Sequence, residues 1–254
     1  EMSASLVGSE MCIRDRFPTC KNQQRMIKLN RLYTPIKLTP AFVRKKTDLY
    51  KTTREDVWNI DWLKDSLMNL SHGKCAYCEC SLTKESNYME VDHFEDKHQY
   101  PDKVMDWDNL LPSCKHCNGH KSKHDVRKDP IINPFVDNPN DHLYFQYYRY
   151  KAKDVTGENT ISVLDLNDGE RRMVDIRFEI GNCLQQSLEE LLSKLGYYQE
   201  NPTIPKKNKL VGAVVNTIRQ CMPESEYSAL CATVLHSCDC LLYTSDAADD
   251  LTRV

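Results

Sequence analysis

Residues 75–123 read CAYCECSLTKESNYMEVDHFEDKHQYPDKVMDWDNLLPSCKHCNGHKSK, and this stretch decides the fold. It contains two CxxC pairs, Cys75/Cys78 and Cys114/Cys117, separated by 35 residues. Two such pairs supply the four thiolates of a closed, tetrahedral, structural Zn²⁺ site. The alternative is a redox-active CxxC motif, but that motif normally occurs once, at the start of a helix. The spacing favours zinc, and Cys80 is interpreted as a spare thiol or a packed side chain.

The segment between the two cysteine pairs predicts a short strand, and the second pair predicts a helix. Residues 88–94 alternate in polarity and are rich in strand formers, so we expect a strand that ends at Asp92 and His93. Strand alternation directs these two side chains to opposite faces, so a bend is needed if both serve one site. Residues 114–123 predict a helix whose start is fixed by the metal. A cleft lined by Asp92, His93 and Asn118 follows from this arrangement.

The order of these residues, Asp-His, then Asn, then CxxCN, resembles the HNH endonucleases, whose ββα-metal motif is here braced by a four-cysteine zinc site. The resemblance implies that His93 is the general base that activates water. It implies that Asp92 binds the catalytic divalent metal. It also implies that Asn109 orients His93 through a backbone contact.

Asn118 departs from the common pattern of that family, because a second metal-binding histidine usually stands at its position. The chain therefore resembles the H-N-N variants of the family, with Asn118 as the second ligand of the catalytic metal. His120 and His124 come from the same helix or its end and are the alternative ligands.

The chemistry of phosphodiester hydrolysis fits these residue types. An imidazole is a suitable base near neutral pH. A carboxylate and an amide oxygen suit a hard cation, Mg²⁺ or Mn²⁺, which stabilises the leaving oxyanion. Four lysines are candidates for binding the flanking phosphates: Lys97, Lys115, Lys121 and Lys123. The simpler interpretation is a non-catalytic zinc module that binds nucleic acid, with His93 as a surface residue, but the complete motif set favours catalysis.

Upstream of the zinc segment, positive charge is concentrated although the whole chain has a net charge of −3. Residues 25–54 contain nine basic residues and one acidic residue. Residues 115–128 contain five basic residues and one acidic residue. These segments either form one electropositive groove or are solvated helix faces. We expect one helix from Pro40 to about Thr52, after a Thr39 cap, and a second over 61–71 that packs on the zinc unit.

Downstream of the zinc segment, residues 142–151 alternate aromatic and polar side chains and predict a strand. Residues 160–164 are its expected partner, with a turn at Gly157. The aromatic side chains either stack on bases or, as we favour, form core and hairpin surface. Three helices are expected after this hairpin, over 167–195, 205–220 and 223–236, and they offer a candidate surface for docking a partner.

These expectations define an α+β fold, a zinc-braced ββα-metal core with an N-terminal helical arm, a small β-hairpin and a C-terminal helical region. The predicted units are a basic arm with helices (26–72), the nuclease core (73–128), a loop with the hairpin (129–166) and the helical region (167–239). Residues 5–16 and 240–250 resemble translated sequencing adapters, so 1–25 and 240–254 are expected to be non-native.

Composition restricts the class further. Charged residues make up 28% and apolar residues 40% of the chain, values typical of a soluble globular protein. No apolar run reaches the length of a membrane span. The twelve cysteines show no secreted disulfide pattern, which favours a cytoplasmic location.

The resemblance extends from Met26 to about Asp168 through SHGKCAYCEC, MEVDHFEDK, DWDNLLPSCKHCNGHKS, DPIINPF and VLDLND. Together these segments resemble the HNH subunit of Septu-type, retron-associated anti-phage defence systems. That resemblance implies a bacterial nuclease that acts on nucleic acid, with DNA favoured over RNA, beside an ABC/SMC-like ATPase subunit. A stand-alone, restriction-like HNH nuclease and the non-catalytic binding module remain the alternatives.

Overall fold

A computed structural model describes residues 28–83, 88–170 and 173–237. The two predicted non-native ends lie outside these residues. Eight helices and two small antiparallel sheets occur in the described part of the chain, which confirms the α+β class. None of the described helices is both long and apolar enough to cross a bilayer.

The first two helices form where capping and amphipathic patterns predict them. Helix α1 spans Pro40–Thr53, and the side chain of Thr39 accepts a hydrogen bond from the backbone N–H of Phe42. Proline at the first helical position needs no N–H partner, so the pair fixes the helix start. Helix α2 spans Asp61–Leu70 and buries Leu63, Leu67 and Leu70. It packs against the strand that leads into the second cysteine pair, as expected.

The central unit is an antiparallel hairpin followed directly by a helix. Strand β1 spans Met89–His93, strand β2 spans Leu110–Cys114, and His93 pairs with Leu110. Two 3₁₀ turns, Pro101–Lys103 and Trp107–Asn109, lie in the connection. Helix α3 spans Lys115–Lys121, and Cys114 caps it. The predicted strand and helix are therefore confirmed.

The segment predicted as one strand, 142–151, instead forms nearly the whole second hairpin. After a single helical turn, α4 (Pro139–His142), strand β3 spans Leu143–Gln146 and strand β4 spans Arg149–Ala152. The two turn residues between the strands, 147 and 148, both have positive φ angles, which is the pattern of a two-residue type I′ turn. The predicted partner strand over 160–164 is wrong, because residues 160–163 are helical and Leu164 caps the end of that helix.

Helix α5 spans Val155–Val163 because Asp154 caps it by accepting a hydrogen bond from the N–H of Gly157 at 2.8 Å. Gly157 is therefore a residue of the first helical turn rather than a β-turn residue. A Cβ at Gly157 would lie 2.3 Å from the carbonyl oxygen of His142. Close approach to the backbone at the end of α4, not turn geometry, explains the glycine.

Three further helices follow: α6 (Met173–Glu200), α7 (Ile204–Gln220) and α8 (Ser228–His236). The first of them begins at Met173 rather than at residue 167, and the side chain of Asn167 bonds the backbone N–H and C=O of Tyr150. A small apolar core joins α6 to α8.

The start of α8 lies against the first cysteine pair. Lys74 Nζ is 2.9 Å from Ser228 Oγ, and Glu79 accepts a hydrogen bond from the N–H of Ala229. Tyr227, Ala229 and Leu230 belong to the same hydrophobic core as the cysteines. The end of the chain therefore stabilises the segment that carries the first CxxC pair.

Candidate functional site

The four cysteines of the two CxxC pairs converge in the core. Their sulfur atoms all lie within 4.8 Å of one another, and all four side chains are buried. The sulfurs of Cys78 and Cys114 are 3.8 Å apart, which is about the separation of two thiolates bound to one tetrahedral Zn²⁺ at 2.3 Å. No disulfide joins them. Four buried thiols in this arrangement fit a structural zinc ion, and Cys80 packs beside them outside this set.

His93 is the last residue of β1, and its ring lies in the core rather than at the surface. The residue is 3% exposed and meets the ring of Trp58 edge-on, with 4.5 Å between centroids. Its Nε2 is 3.0 Å from the carbonyl oxygen of Val104. Since a carbonyl can only accept, Nε2 carries the proton and Nδ1 carries the lone pair.

The Nδ1 atom of His93 is buried and has no hydrogen-bond partner among the described residues. Burial is the main cause that lowers the pKa of His93 from 6.5 to about 3, and the positive charges of Lys97 and Lys121 lower it further. The imidazole is therefore neutral at physiological pH, with a fixed tautomer and an unoccupied acceptor.

Asn109 holds the loop that positions His93. Its side-chain N–H groups donate to the carbonyl oxygens of Glu95 and Lys103, and its Oδ1 accepts from the N–H of Glu95 at 2.7 Å. Lys103 directly precedes Val104, whose carbonyl bonds His93. The hydrogen bonds of the Asn109 side chain thus go to the backbone on both sides of the imidazole, and Asn109 acts on His93 through that backbone.

Asp92 is buried next to His93 but has different neighbours. Its Oδ2 accepts from the hydroxyl of Tyr77 at 2.6 Å, and its Oδ1 accepts from Lys121 Nζ at 3.0 Å. Lys121 also donates to the carbonyl oxygen of His93 at 2.6 Å. The side chains of Asp92 and Lys121 are 4% and 0% exposed, so they form a buried ion pair.

This ion pair separates Lys121 from the other predicted phosphate-binding lysines. Its ammonium group is directed into the protein by the carboxylate, and in this arrangement it does not face a phosphate in solvent. Lys115 and Lys123 are exposed, and Lys97 Nζ lies 4.8 Å from the ring of Trp58, close to His93.

Asn118 faces the same strand as Lys121, one helical turn earlier. Its Nδ2 donates to a carboxylate oxygen of Glu90 at 2.7 Å. Glu90 and Asp92 are two residues apart on β1 and so lie on one face of the strand. Glu90 was not among the candidates from the sequence, although strand alternation from Asp92 identifies it.

The oxygens of Glu90, Asp92 and Asn118 are the hard donors that Mg²⁺ takes in proteins, so the donor set fits such an ion. Lys121 already balances the charge of Asp92, so this carboxylate is open to a cation only when the ammonium moves. Strand pairing continues to His93, so the expected bend does not occur within β1.

The two alternative metal ligands lie elsewhere. His124 Nε2 is 2.7 Å from the carbonyl oxygen of Asp129. His120 faces Asp165, with 3.9 Å between Nδ1 and the carboxylate. The polar contacts of both histidines within the described part of the chain are thus with groups other than Asp92 and Asn118.

Comparison with known proteins gives one family match and two relatives. The family model described as HNH endonuclease matches residues 75–124. The chain is 41% identical to the Septu protein PtuB of Bacillus thuringiensis, across 83% of this chain and 82% of that protein. It is 27% identical to the Septu protein PtuB of Bacillus mycoides (strain KBAB4), across 68% of this chain and 72% of that protein.

Proposed function

The chain belongs to the Septu PtuB family and contains an HNH endonuclease domain, and from this premise we propose that it hydrolyses phosphodiester bonds in nucleic acid as the nuclease of a Septu anti-phage system. We favour DNA over RNA as the substrate. The observation that carries the proposal is the state of His93, a neutral imidazole with one nitrogen bonded to Val104 and the other unoccupied.

His93 acts in this proposal as the general base. The bond from Nε2 to Val104 holds the ring and its tautomer, so Nδ1 accepts the proton of the attacking water. Asn109 is a positioning residue, because it ties the segment before Val104 to the end of β1. Proton transfer to a positioned side chain typically contributes a rate enhancement of roughly 10²–10⁴-fold.

Asp92 and Asn118 are the proposed ligands of the catalytic Mg²⁺ or Mn²⁺, with Glu90 as an additional donor beside Asn118. When bound, the ion would stabilise the negative charge of the leaving oxygen. For the ion to bind Asp92, Lys121 would have to move away from that carboxylate. Its ammonium would then be available to the substrate phosphate. Lys97, Lys115 and Lys123 are proposed to bind the flanking phosphates.

The cysteine cluster is proposed to bind structural zinc and has no part in the reaction. The second pair fixes the start of α3, which carries Asn118 and Lys121, and the first pair is joined to β2 by the hydrogen bond from Ala76 N–H to Pro112 C=O. The metal would therefore hold the two sides of the catalytic cleft in register.

The helical region 167–239 is the proposed docking surface for an ABC/SMC-like ATPase subunit, in retron-associated or other Septu systems. Several large apolar side chains of α6 and α7 are exposed, among them Phe178, Tyr197 and Val211. Exposed apolar side chains that lie together in one patch are typical of protein interfaces, and these residues are the candidates for such a patch.

A cleavage assay on the full chain tests the proposal, with duplex DNA, single-stranded DNA and transfer RNA as substrates. Mg²⁺ should be omitted in one arm rather than chelated, so that the zinc is retained. We expect Mg²⁺-dependent cleavage that Asp92→Asn removes, and an Asn118→Ala variant that requires more Mg²⁺ for the same rate.

The buried pair of Asp92 and Lys121 favours one alternative, the non-catalytic nucleic-acid-binding module. That alternative predicts binding without cleavage by the zinc-loaded protein under any divalent metal, with and without its ATPase partner. Cleavage by the isolated chain with a defined sequence preference would instead favour a stand-alone, restriction-like nuclease.

A further inference from the structure

The face of α3 that points away from β1 presents two histidines to a neighbouring loop. His116 and His120 are one helical turn apart, and their ring centroids are 4.3 Å apart. Asp165 follows α5 and faces them. One ring nitrogen from each histidine and one carboxylate oxygen of Asp165 lie within 4.8 Å of one another.

His116, a member of this cluster, has one ring nitrogen that the described residues leave without a hydrogen bond. Its side chain is 9% exposed, and its Nε2 is 3.2 Å from the carbonyl oxygen of Asp165. Because the carbonyl only accepts, the proton is on Nε2 and the lone pair is on Nδ1. Nδ1 is buried and has no hydrogen-bond partner among the described residues, although a carboxylate oxygen of Asp168 lies 3.9 Å away.

This arrangement matches the way proteins prepare a histidine ligand. A metal-binding histidine usually donates its other N–H to a carbonyl or carboxylate, which fixes the ring and raises the basicity of the donor nitrogen. His116 has that bond already, and a second imidazole and a carboxylate lie beside it. An unpaired buried nitrogen is otherwise unfavourable.

The cluster is separate from the proposed catalytic site and from the cysteine cluster. On α3, Cys117 faces the other cysteines, whereas Asn118 and Lys121 face Glu90 and Asp92 of β1. His116 and His120 occupy the remaining side of the helix, towards the loop at residue 165.

We propose that His116, His120 and Asp165 bind a divalent transition-metal ion, for which Zn²⁺ is the expected occupant. Imidazole nitrogens with one carboxylate suit zinc and its neighbours better than Mg²⁺ or Ca²⁺. Water or Asp168 completes the coordination. The ion would tie α3 of the nuclease unit to the segment that leads from α5 to α6, and so would connect the catalytic helix to the helical region.

The test is the zinc content of the full chain, prepared without a histidine tag, saturated with Zn²⁺ and desalted. We expect the His116→Ala/His120→Ala variant to bind one equivalent less than the unsubstituted protein. His142→Ala is the matched control, because His142 pairs with Asp154 and belongs to no metal-ligand cluster among the described residues, and it should keep the full content. Equal zinc content in the double variant and the unsubstituted protein would overturn the proposal.

A second variant guards against loss of folding. Asp165 has a φ of 45°, a left-handed conformation that asparagine tolerates well, so Asp165→Asn preserves the backbone. We expect this variant to bind the second equivalent of Zn²⁺ at least about tenfold more weakly. Loss of a group that only supports a ligand already lowers metal affinity by about 10–100-fold. Retention of the cysteine-bound equivalent reports that the variant is folded, and an unchanged affinity for the second equivalent contradicts the proposal.

Substitution with Co²⁺ separates the sites by spectrum. The cysteine cluster gives sulfur-to-cobalt charge-transfer bands, whereas the histidine cluster gives only weaker ligand-field bands. Loss of those weaker bands in the His116→Ala/His120→Ala variant, but not in Asp92→Asn, is the expected result. Their loss in Asp92→Asn instead would assign the second ion to the catalytic site and overturn the proposal, whatever the nuclease assay shows.

Discussion

Replacement of Lys121 by methionine should strongly destabilise the protein. The ammonium of Lys121 donates to Oδ1 of Asp92 and to the carbonyl oxygen of His93, and both charged side chains are almost fully buried. Methionine keeps a long unbranched chain, so it leaves no large cavity. The substitution therefore removes the charge and the two hydrogen bonds while preserving most of the packing.

The size of the effect follows from the group that remains. Removal of one partner of a buried ion pair costs about 3–5 kcal/mol, since the other charge stays buried without compensation. Tyr77 still donates to Oδ2 of Asp92, so we expect the lower end of that range, about 3 kcal/mol. Removing the charge of Asp92 as well, in Asp92→Asn/Lys121→Met, should cost less than Lys121→Met alone.

Urea unfolding of the zinc-loaded protein, followed by tryptophan fluorescence, measures these changes, because Trp58 touches the ring of His93. The control is Lys123→Met, an exposed lysine on the same segment, which should change stability by no more than about 0.5 kcal/mol. If Lys121→Met costs no more than this control, Lys121 is not paired with Asp92 and the description of the site is wrong. Added Mg²⁺ should stabilise Lys121→Met more than the unsubstituted protein, because the negative charge of Asp92 has no cationic partner in the variant and can bind the ion.

Four further outcomes concern the fold, and unfolding in urea measures the first three. Gly157→Ala should destabilise by about 1–3 kcal/mol, because the new Cβ would meet the carbonyl oxygen of His142 at the end of α4. Gly212→Ala, with open space in α7, should instead stabilise by about 0.5–1 kcal/mol. Asp154→Ala should cost about 1 kcal/mol through loss of the α5 cap, and Asp154→Asn should restore most of it. Leu67→Ala should cost about 2–5 kcal/mol, because Leu67 of α2 is fully buried in the core. Removal of zinc by a strong chelator should abolish the cooperative unfolding transition seen by circular dichroism; an unchanged transition would show that the cysteines fold the chain without metal.

Local chemistry explains what the sequence predicts well. The Thr39-Pro40 start of α1 and the strand that ends at His93 depend on neighbouring residues, so their signals are present in short windows. The cysteine pairs are recognisable because zinc demands four ligands at restricted spacing. The HNH motif is recognisable because its residues stand in a fixed order along the chain.

The hairpin of β3 and β4 shows where short patterns fail. A two-residue turn with positive φ usually needs Asn or Gly, and here Tyr147 and Tyr148 adopt it. Tyr148 is held there by packing on α6, where its ring meets Phe178 and lies against Gly181. Tertiary contacts with a helix 30 residues away decide the turn, so no local signal was available.

The burial of Lys121 and the pairing of His116 with Asp165 were also beyond the sequence. Both depend on which side of α3 packs against β1 and which side faces the loop at residue 165. A helix of seven residues is too short for the spacing of its hydrophobic residues to define these sides. The contact between Glu79 and the start of α8 joins residues about 150 positions apart. Such contacts are set by the complete core rather than by spacing.

The central claim, that His93 is the base of a metal-dependent nuclease, is tested most directly by comparing two histidine variants in a single-turnover cleavage assay. His93→Ala removes the imidazole that bonds Val104, and His72→Asn changes an exposed histidine at the end of α2, where asparagine tolerates the positive φ. Both proteins should be shown to bind zinc and the substrate before cleavage is measured. We predict that His93→Ala slows cleavage by about 10²-fold or more and that His72→Asn cleaves normally. Equal cleavage rates for the two folded variants would contradict the assignment of His93.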